Sequence, residues 1–253
     1  MLGAHGGRGA GMVTTAIQVS ESIVIDAGHI VGALGEKAAR IDHIFLSHSH
    51  LDHVDDIPFL IDTFFTVRSQ PLFIYGLEST LMDLKKYLFN WHLWPDFNQI
   101  ELVKNSMTAI TLVPIEEGEA VTIDGVTLTP FPANHIIPCV GYIIQKPTGS
   151  VLYSADTYAN PGMWEIVNTH PDIHTVIVDV SFPSHMDKLA EVSKHMTPKV
   201  LKEDLIHLTR DDVTIHVYHV KPGFVEPVTQ ELNEMGLLRN GGRILKDGDL
   251  IRI

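Results

Sequence analysis

Apolar positions in this chain come in short runs, and their period switches repeatedly between two and about four. Residues 15–19 and 23–26 read as a pair of strands, 29–39 as a short helix and 41–47 as a buried strand. Ile57, Leu60, Ile61, Phe64 and Phe65 recur at helical spacing, and Asp55 and Asp56 stand where a helix cap would be. A strand over 72–75 and a helix over 78–89 follow. Residues 100–131 hold several strands. Among them are 120–123 and 126–129, joined by Asp124-Gly125, a strong hairpin signal. The pattern then predicts strands at 140–145 and 150–154, a helix near 160–168 and a buried strand at 175–179. Helices near 187–193 and 198–208, a strand at 213–218, a helix near 226–236 and a closing hairpin over 243–253 complete it. Residues 1–11 are rich in glycine. They read as a strand end running into a tight turn, with the native start expected slightly upstream.

Two blocks of strands, each followed by strand–helix units, argue for mixed sheets covered by helices. No linker or short repeat interrupts the pattern, and a single domain over 1–253 is expected.

Composition changes this picture little. At 45% hydrophobic and 19% charged, the chain has a normal globular balance. The net charge of -13 matters more, because such a surface repels phosphate backbones and no nucleic-acid partner is expected. Cys139 is the one cysteine, which excludes an intrachain disulfide and fits a reducing, cytoplasmic compartment. No apolar run is long enough to span a bilayer, so no membrane association is expected. The 15 histidines favour a metal site.

The densest cluster is His48-Ser49-His50-Leu51-Asp52-His53, directly after the buried run 41–46. Three imidazoles and a carboxylate at a strand end are the donor types that a borderline divalent metal takes. His48 and His50 project to one side if strand geometry continues, whereas Asp52 and His53 follow the turn and point elsewhere. That division suggests two adjacent metals rather than one.

The hexapeptide has the form H-x-H-x-D-H and resembles the metallo-β-lactamase superfamily. The resemblance implies an α+β fold, a four-layer αββα sandwich, with a two-metal site along one edge. It identifies His135 as a third histidine, Asp156 in Ser154-Ala155-Asp156-Thr157 as the bridging carboxylate and His219 in His219-Val220-Lys221-Pro222 as the last ligand. His216, three residues earlier, competes for that last role. In this assignment His48, His50 and His135 hold one ion, Asp52, His53 and His219 hold the other, and Asp156 bridges. Zinc is the expected metal, with manganese and iron as alternatives.

Several segments resemble class II cyclic-nucleotide phosphodiesterases in particular: Gly6-Gly7, Asp26-Ala27-Gly28, Leu51 within the hexapeptide, Ser181-Phe182-Pro183, and 193–198 with its Ser-x-His-x-Thr-Pro order. A more distant resemblance is to the tRNA-processing endonuclease RNase Z. The gap between His135 and Asp156 leaves no room for that enzyme's long arm, and the gap from Asp156 to His219 is too short for the inserted domain of the nuclease branch. Two departures stand out. Asp179 replaces the usual Glu before Ser-Phe-Pro, which shortens its reach by one methylene, and Asp55-Asp56 replace the glycine usual after the hexapeptide.

The resemblance implies a dinuclear hydrolase of 3′,5′-cyclic nucleotides or similar small phosphodiesters, in which a metal-activated hydroxide attacks phosphorus. Asp52 counts among the catalytic residues as well as the ligands. His195, oriented by Asp179, is the candidate general acid, against the alternative of a helix-terminal histidine without chemistry. Lys221 is the candidate substrate contact. Relatives suggest a homodimer. The alternatives are a hydrolase of lactones, thioesters or sulfate esters, an RNase Z-like RNA phosphodiesterase, or a low-turnover metal-binding sensor. The aromatic stretch 87–97 either caps the site and stacks on a base or packs against the core or a partner subunit.

Overall fold

A computed structural model of the protein describes residues 1–251. One sheet has five strands in the order β1 (Ile17–Gln18), β2 (Ile23–Ile25), β3 (His43–Phe45), β4 (Leu72–Gly76) and β5 (Ile110–Pro114). Only β1–β2 is antiparallel; the other pairs run parallel. The second sheet has six strands in the order β11 (Thr214–Tyr218), β10 (Ile173–Asp179), β9 (Gly149–Tyr153), β8 (Val140–Lys146), β7 (Val126–Pro132) and β6 (Val121–Ile123). Its β9–β10–β11 side is parallel and its β6–β9 side antiparallel. Asp124 (φ 50°) and Gly125 (φ 78°) both take the left-handed conformation that the predicted β6–β7 hairpin turn requires.

The layering follows from strand alternation. Ile23, Ile25, Phe45, Val151, Tyr153, Ile177 and Tyr218 point between the two sheets. Their neighbours Leu152, Val176, Val178, Ile215 and Val217 point outward under α5 (Pro161–Thr169), α7 (Pro198–Asp204) and α8 (Val225–Glu234). On the other side, Val24, Ile44 and Ile74 pack under α3 (Ile57–Phe64) and α4 (Glu78–Asp83). The order is therefore helix, sheet, sheet, helix, the expected αββα sandwich. Each large side chain buried this way contributes about 1.5–3 kcal/mol.

Three expectations need correction. The helix expected over 29–39 is α-helical only in α1 (Val31–Leu34) and continues as a 3₁₀ turn over Gly35–Arg40. Asp56 does not cap the helix that follows it. Its carboxylate accepts the Ile30 and Val31 amides, at 2.5 and 2.7 Å, and so caps α1 across space. The closing hairpin is not formed within residues 243–251; that segment makes one parallel bridge, Val217 to Ile244. The rest of the expected hairpin, residues 252–253, lies outside the described residues.

No helix among the described residues is long and apolar enough to cross a membrane.

Candidate metal centre

The candidate residues converge where strands from both sheets end on the same side. Asp26 follows β2 and His48 follows β3. His135, Asp156 and His219 follow β7, β9 and β11, and Asp179 closes β10. His50 precedes α2 (Leu51–Val54), which carries Asp52 and His53. Among the described residues, four of the seven non-glycine residues with positive φ lie here: Asp26, Ala155, Lys194 and His219. Strained backbone of this kind costs free energy and concentrates at functional sites.

Two donor clusters result. His48 Nε2 lies 3.0 Å from His50 Nδ1, which lies 3.1 Å from His135 Nε2. His53 Nε2 lies 3.3 Å from His219 Nε2, and Asp52 Oδ2 is 3.5 Å from the latter. Asp156 stands between them. Its Oδ2 is 3.7 Å from His48 Nε2 and 3.3 Å from His53 Nε2, and its Oδ1 is 3.3 Å from His219 Nε2. His216 is excluded from the site, because its Nδ1 accepts the Arg243 amide instead.

The opposite ring nitrogens face fixed partners. His48 Nδ1 donates to Ser47 Oγ at 2.9 Å, and Ser47 in turn donates to Asp26. His53 Nδ1 donates to Asp26 Oδ2 at 2.9 Å, His135 Nδ1 to the Lys194 carbonyl at 3.1 Å and His219 Nδ1 to Ser181 Oγ at 2.9 Å. Such outer hydrogen bonds fix the tautomer and leave the inward nitrogen with a lone pair. Tyr153 donates to Asp26 Oδ2 at 2.9 Å, and the Tyr218 hydroxyl lies 3.1 Å from that of Tyr153 and 3.3 Å from Asp156 Oδ1. One buried carboxylate, Asp26, thereby connects to both clusters and to the residue between them.

The electrostatics fit a cation. Asp26, Asp156 and Asp179 are buried, and among the described residues none pairs with a lysine or arginine. Burying uncompensated carboxylates is costly. Without metal the histidines carry the compensation. Burial lowers the pKa of His219, but Asp156, Asp179 and Asp52 outweigh it and hold the ring at about 9. His135, where burial dominates, falls to about 4. Converging imidazole nitrogens and carboxylate oxygens, with the rings oriented from outside, suit two divalent ions. Cys139 supplies no ligand. Its thiol faces the Asp156 carbonyl at 3.7 Å, and burial pushes its pKa well up.

His195 joins Asp156, Asp179 and His219 in a further group of possible donors, its Nδ1 4.0 Å from Asp156 Oδ2. Its Nδ1 donates to Asp179 Oδ2 at 2.7 Å, so the shorter acid still reaches it. Asp179 is itself fixed by the Thr157 amide and the Ser181 hydroxyl. Lys221 Nζ lies 3.8 Å from Asp52 Oδ2. The aromatic stretch divides. Phe89 and Phe97 are core residues, whereas Tyr87 and Leu93 line a cavity of about 210 Å³ with Ser49 and Leu51 of the hexapeptide.

Ser47, Ser181, Tyr153 and Tyr218 were not identifiable as site residues from sequence. Ser181 and Asp26 lie in the segments that carry the family resemblance, but nothing in a linear pattern tells which hydroxyl or acid turns toward which ring.

Comparison with known proteins agrees with this geometry. Residues 23–222 match the beta-lactamase superfamily domain, and the chain belongs to that family, whose members are metal-dependent hydrolases. It is 30% identical over 117 residues to a nuclear ribonuclease Z of Triticum aestivum, covering 46% of this chain and 61% of that one. It is 34% identical over 124 residues to a 3′,5′-cyclic-nucleotide phosphodiesterase of Aliivibrio fischeri, covering 38% of this chain and 36% of that one. The chain thus spans less than two thirds of the length of either relative. Among solved structures, unliganded yeast PDE1 superposes with a TM-score of 0.79 at 18% identity, covering 97% of this chain and 96% of that one.

Proposed function

We propose that this protein is a dinuclear metal hydrolase of small phosphodiesters, with 3′,5′-cyclic nucleotides the foremost candidates. The observation that carries the metal reading is Asp156, whose two oxygens reach toward histidines of both clusters. His48, His50 and His135 would hold one ion, Asp52, His53 and His219 the other, and Asp156 would bridge. Zinc suits this set, as do manganese and iron. Such ions supply a water with a near-neutral pKa and charge neutralisation at the phosphoryl oxygens.

The chain's own residues do the rest. Asp179 and Ser181 hold His195 and His219 in register. Because His195 commits Nδ1 to Asp179, its Nε2 is the atom from which a proton passes to the leaving ribose oxygen. Lys221 stands at the Asp52 edge, where it attracts an anionic substrate. Support for the substrate class comes from the cyclic-nucleotide phosphodiesterase of Aliivibrio fischeri among the relatives and from the segments around His195 and His219.

A second reading, an RNA phosphodiesterase, is favoured by the ribonuclease Z relatives. Two features weigh against it. The net charge is -13, and β8 and β9 meet in a tight hairpin, Lys146 opposite Gly149, with no arm between His135 and Asp156. The experiment is a substrate panel with Zn²⁺ or Mn²⁺: bis(p-nitrophenyl) phosphate, 3′,5′-cyclic nucleotides, a precursor tRNA and a set of lactones. Turnover of the cyclic nucleotides is expected. Lactone turnover without phosphodiester hydrolysis would sink the proposal, and cleavage of the tRNA alone would replace it with the second reading.

A further inference from the structure

The turn Gly6-Gly7-Arg8-Gly9 lies against the second cluster. A Cβ on Gly6 would stand 2.6 Å from His219 Cε1 and 2.7 Å from its carbonyl oxygen, and one on Gly9 would stand 2.8 Å from Pro222. Only glycine lets the backbone pass this close to the ring. Across from the turn, Arg8 Nη2 pairs with Asp55 Oδ2, two residues after His53. The turn therefore runs from His219 on one side to the end of the hexapeptide on the other, with Asp52 and Lys221 beside it.

We propose that Arg8 recognises the substrate's anionic group: Asp55 fixes one edge of the guanidinium, and the other edge receives the non-bridging phosphoryl oxygens. This rests on the phosphodiester reading. Three observations carry it. First, Arg8 remains 63% exposed at its side chain, and among the described residues its one hydrogen bond is from Nη2 to Asp55, which leaves four of five N–H donors free. A planar fork matches paired phosphate oxygens better than a lysine does. Second, the Gly6, Gly7 and Arg8 amides donate no hydrogen bond among the described residues, and consecutive free amides in a turn attract anions. Third, basic groups are scarce in a chain with 18 lysines and arginines against 31 acids, yet Arg8 pairs with Asp55 and Lys221 lies 3.8 Å from Asp52, so two of them meet this short acidic stretch. Asp55, one of the residues that replace the glycine usual after the hexapeptide, is what holds Arg8 there.

The test uses the metal-loaded full chain and the variants Arg8→Ala, Arg8→Lys and Asp55→Asn. KM is measured for bis(p-nitrophenyl) phosphate and for p-nitrophenyl acetate, which is uncharged, and inorganic phosphate binding is measured by calorimetry. Arg8→Ala should raise the phosphodiester KM about 10- to 100-fold relative to the acetate KM, the loss expected of a charge-assisted hydrogen bond. Arg8→Lys should recover part of it, and Asp55→Asn should give a smaller rise that disappears when Arg8 is already alanine. Equal changes in both KM values, or none, would overturn the inference and leave an ordinary surface ion pair. If no phosphodiester is hydrolysed, the functional reading fails on its own, and phosphate calorimetry still decides: binding about tenfold weaker in Arg8→Ala, and less weakened in Arg8→Lys, supports the role of Arg8, and unchanged binding in Arg8→Ala refutes it. Metal content of each variant separates misfolding from lost recognition, with Arg8→Lys as the milder change.

Discussion

At the scale of single residues, the arrangement turns on which nitrogen of each imidazole faces inward. His48, His53, His135 and His219 each give one nitrogen to an outer partner and present the other to the cluster. His195 also gives Nδ1 to an acid, Asp179, but that nitrogen is 4.0 Å from Asp156, against 3.7 Å for His48 and 3.3 Å for His53 and His219. That difference separates ligands from a proton donor. His195→Ala should lower phosphodiester turnover about 10²–10⁴-fold while metal content, read by elemental analysis, stays the same. Metal loss in that variant would reassign the residue as a ligand. The ligand-bearing hexapeptide was legible in the sequence because its donors are adjacent. Asp26, Tyr153 and Tyr218 were not legible as partners, since the chain separates them widely and only folding brings their oxygens together.

At the scale of elements, the site is a property of strand ends. Alternation along β2, β3, β9, β10 and β11 sends apolar residues into the layers on both sides and leaves the polar residue after each strand at the common edge. The strands were readable because each is a short apolar run between turn residues. What the pattern could not supply was partnership. Asp56 looks like the cap of α3 and instead caps α1, because two amides from another element reach it first. Among the described residues, the segment from Arg243 to Ile251 forms no hairpin and leans on β11 by one bridge. The glycine turn at 6–9 was legible as a turn, but its contact with His219 was not. Gly6→Ala places a methyl group against that ring, so the ring or the turn must shift. The variant should bind zinc at least tenfold more weakly at the Asp52–His53–His219 cluster, seen as loss of the weaker step in a competition titration with a chromophoric chelator. Unchanged affinity would mean that the turn yields without disturbing the ligand.

At the scale of the whole molecule, the αββα sandwich brings ligands from residue 48 to residue 219 to one edge, and each sheet supplies part of each cluster. Neither of the two proposed ion sites is complete in one half, although Asp156, Asp179, His195 and His219 of the second half also lie together. His48 and His50 need His135 from the second sheet, and Asp52 and His53 need His219. Family membership agrees with that architecture, and in the proposed reading substrate choice would lie in the rim formed by Arg8, Lys221 and the Leu51–Leu93 cavity. In the proposed function two ions, bridged through Asp156, make this edge a phosphodiesterase. That proposal is tested most directly by titrating metal-free protein with Zn²⁺ and measuring bis(p-nitrophenyl) phosphate hydrolysis at each step. Activity should climb to a plateau at about two equivalents per chain, as a two-metal site requires. A plateau at one equivalent, or no hydrolysis at any loading, would contradict it.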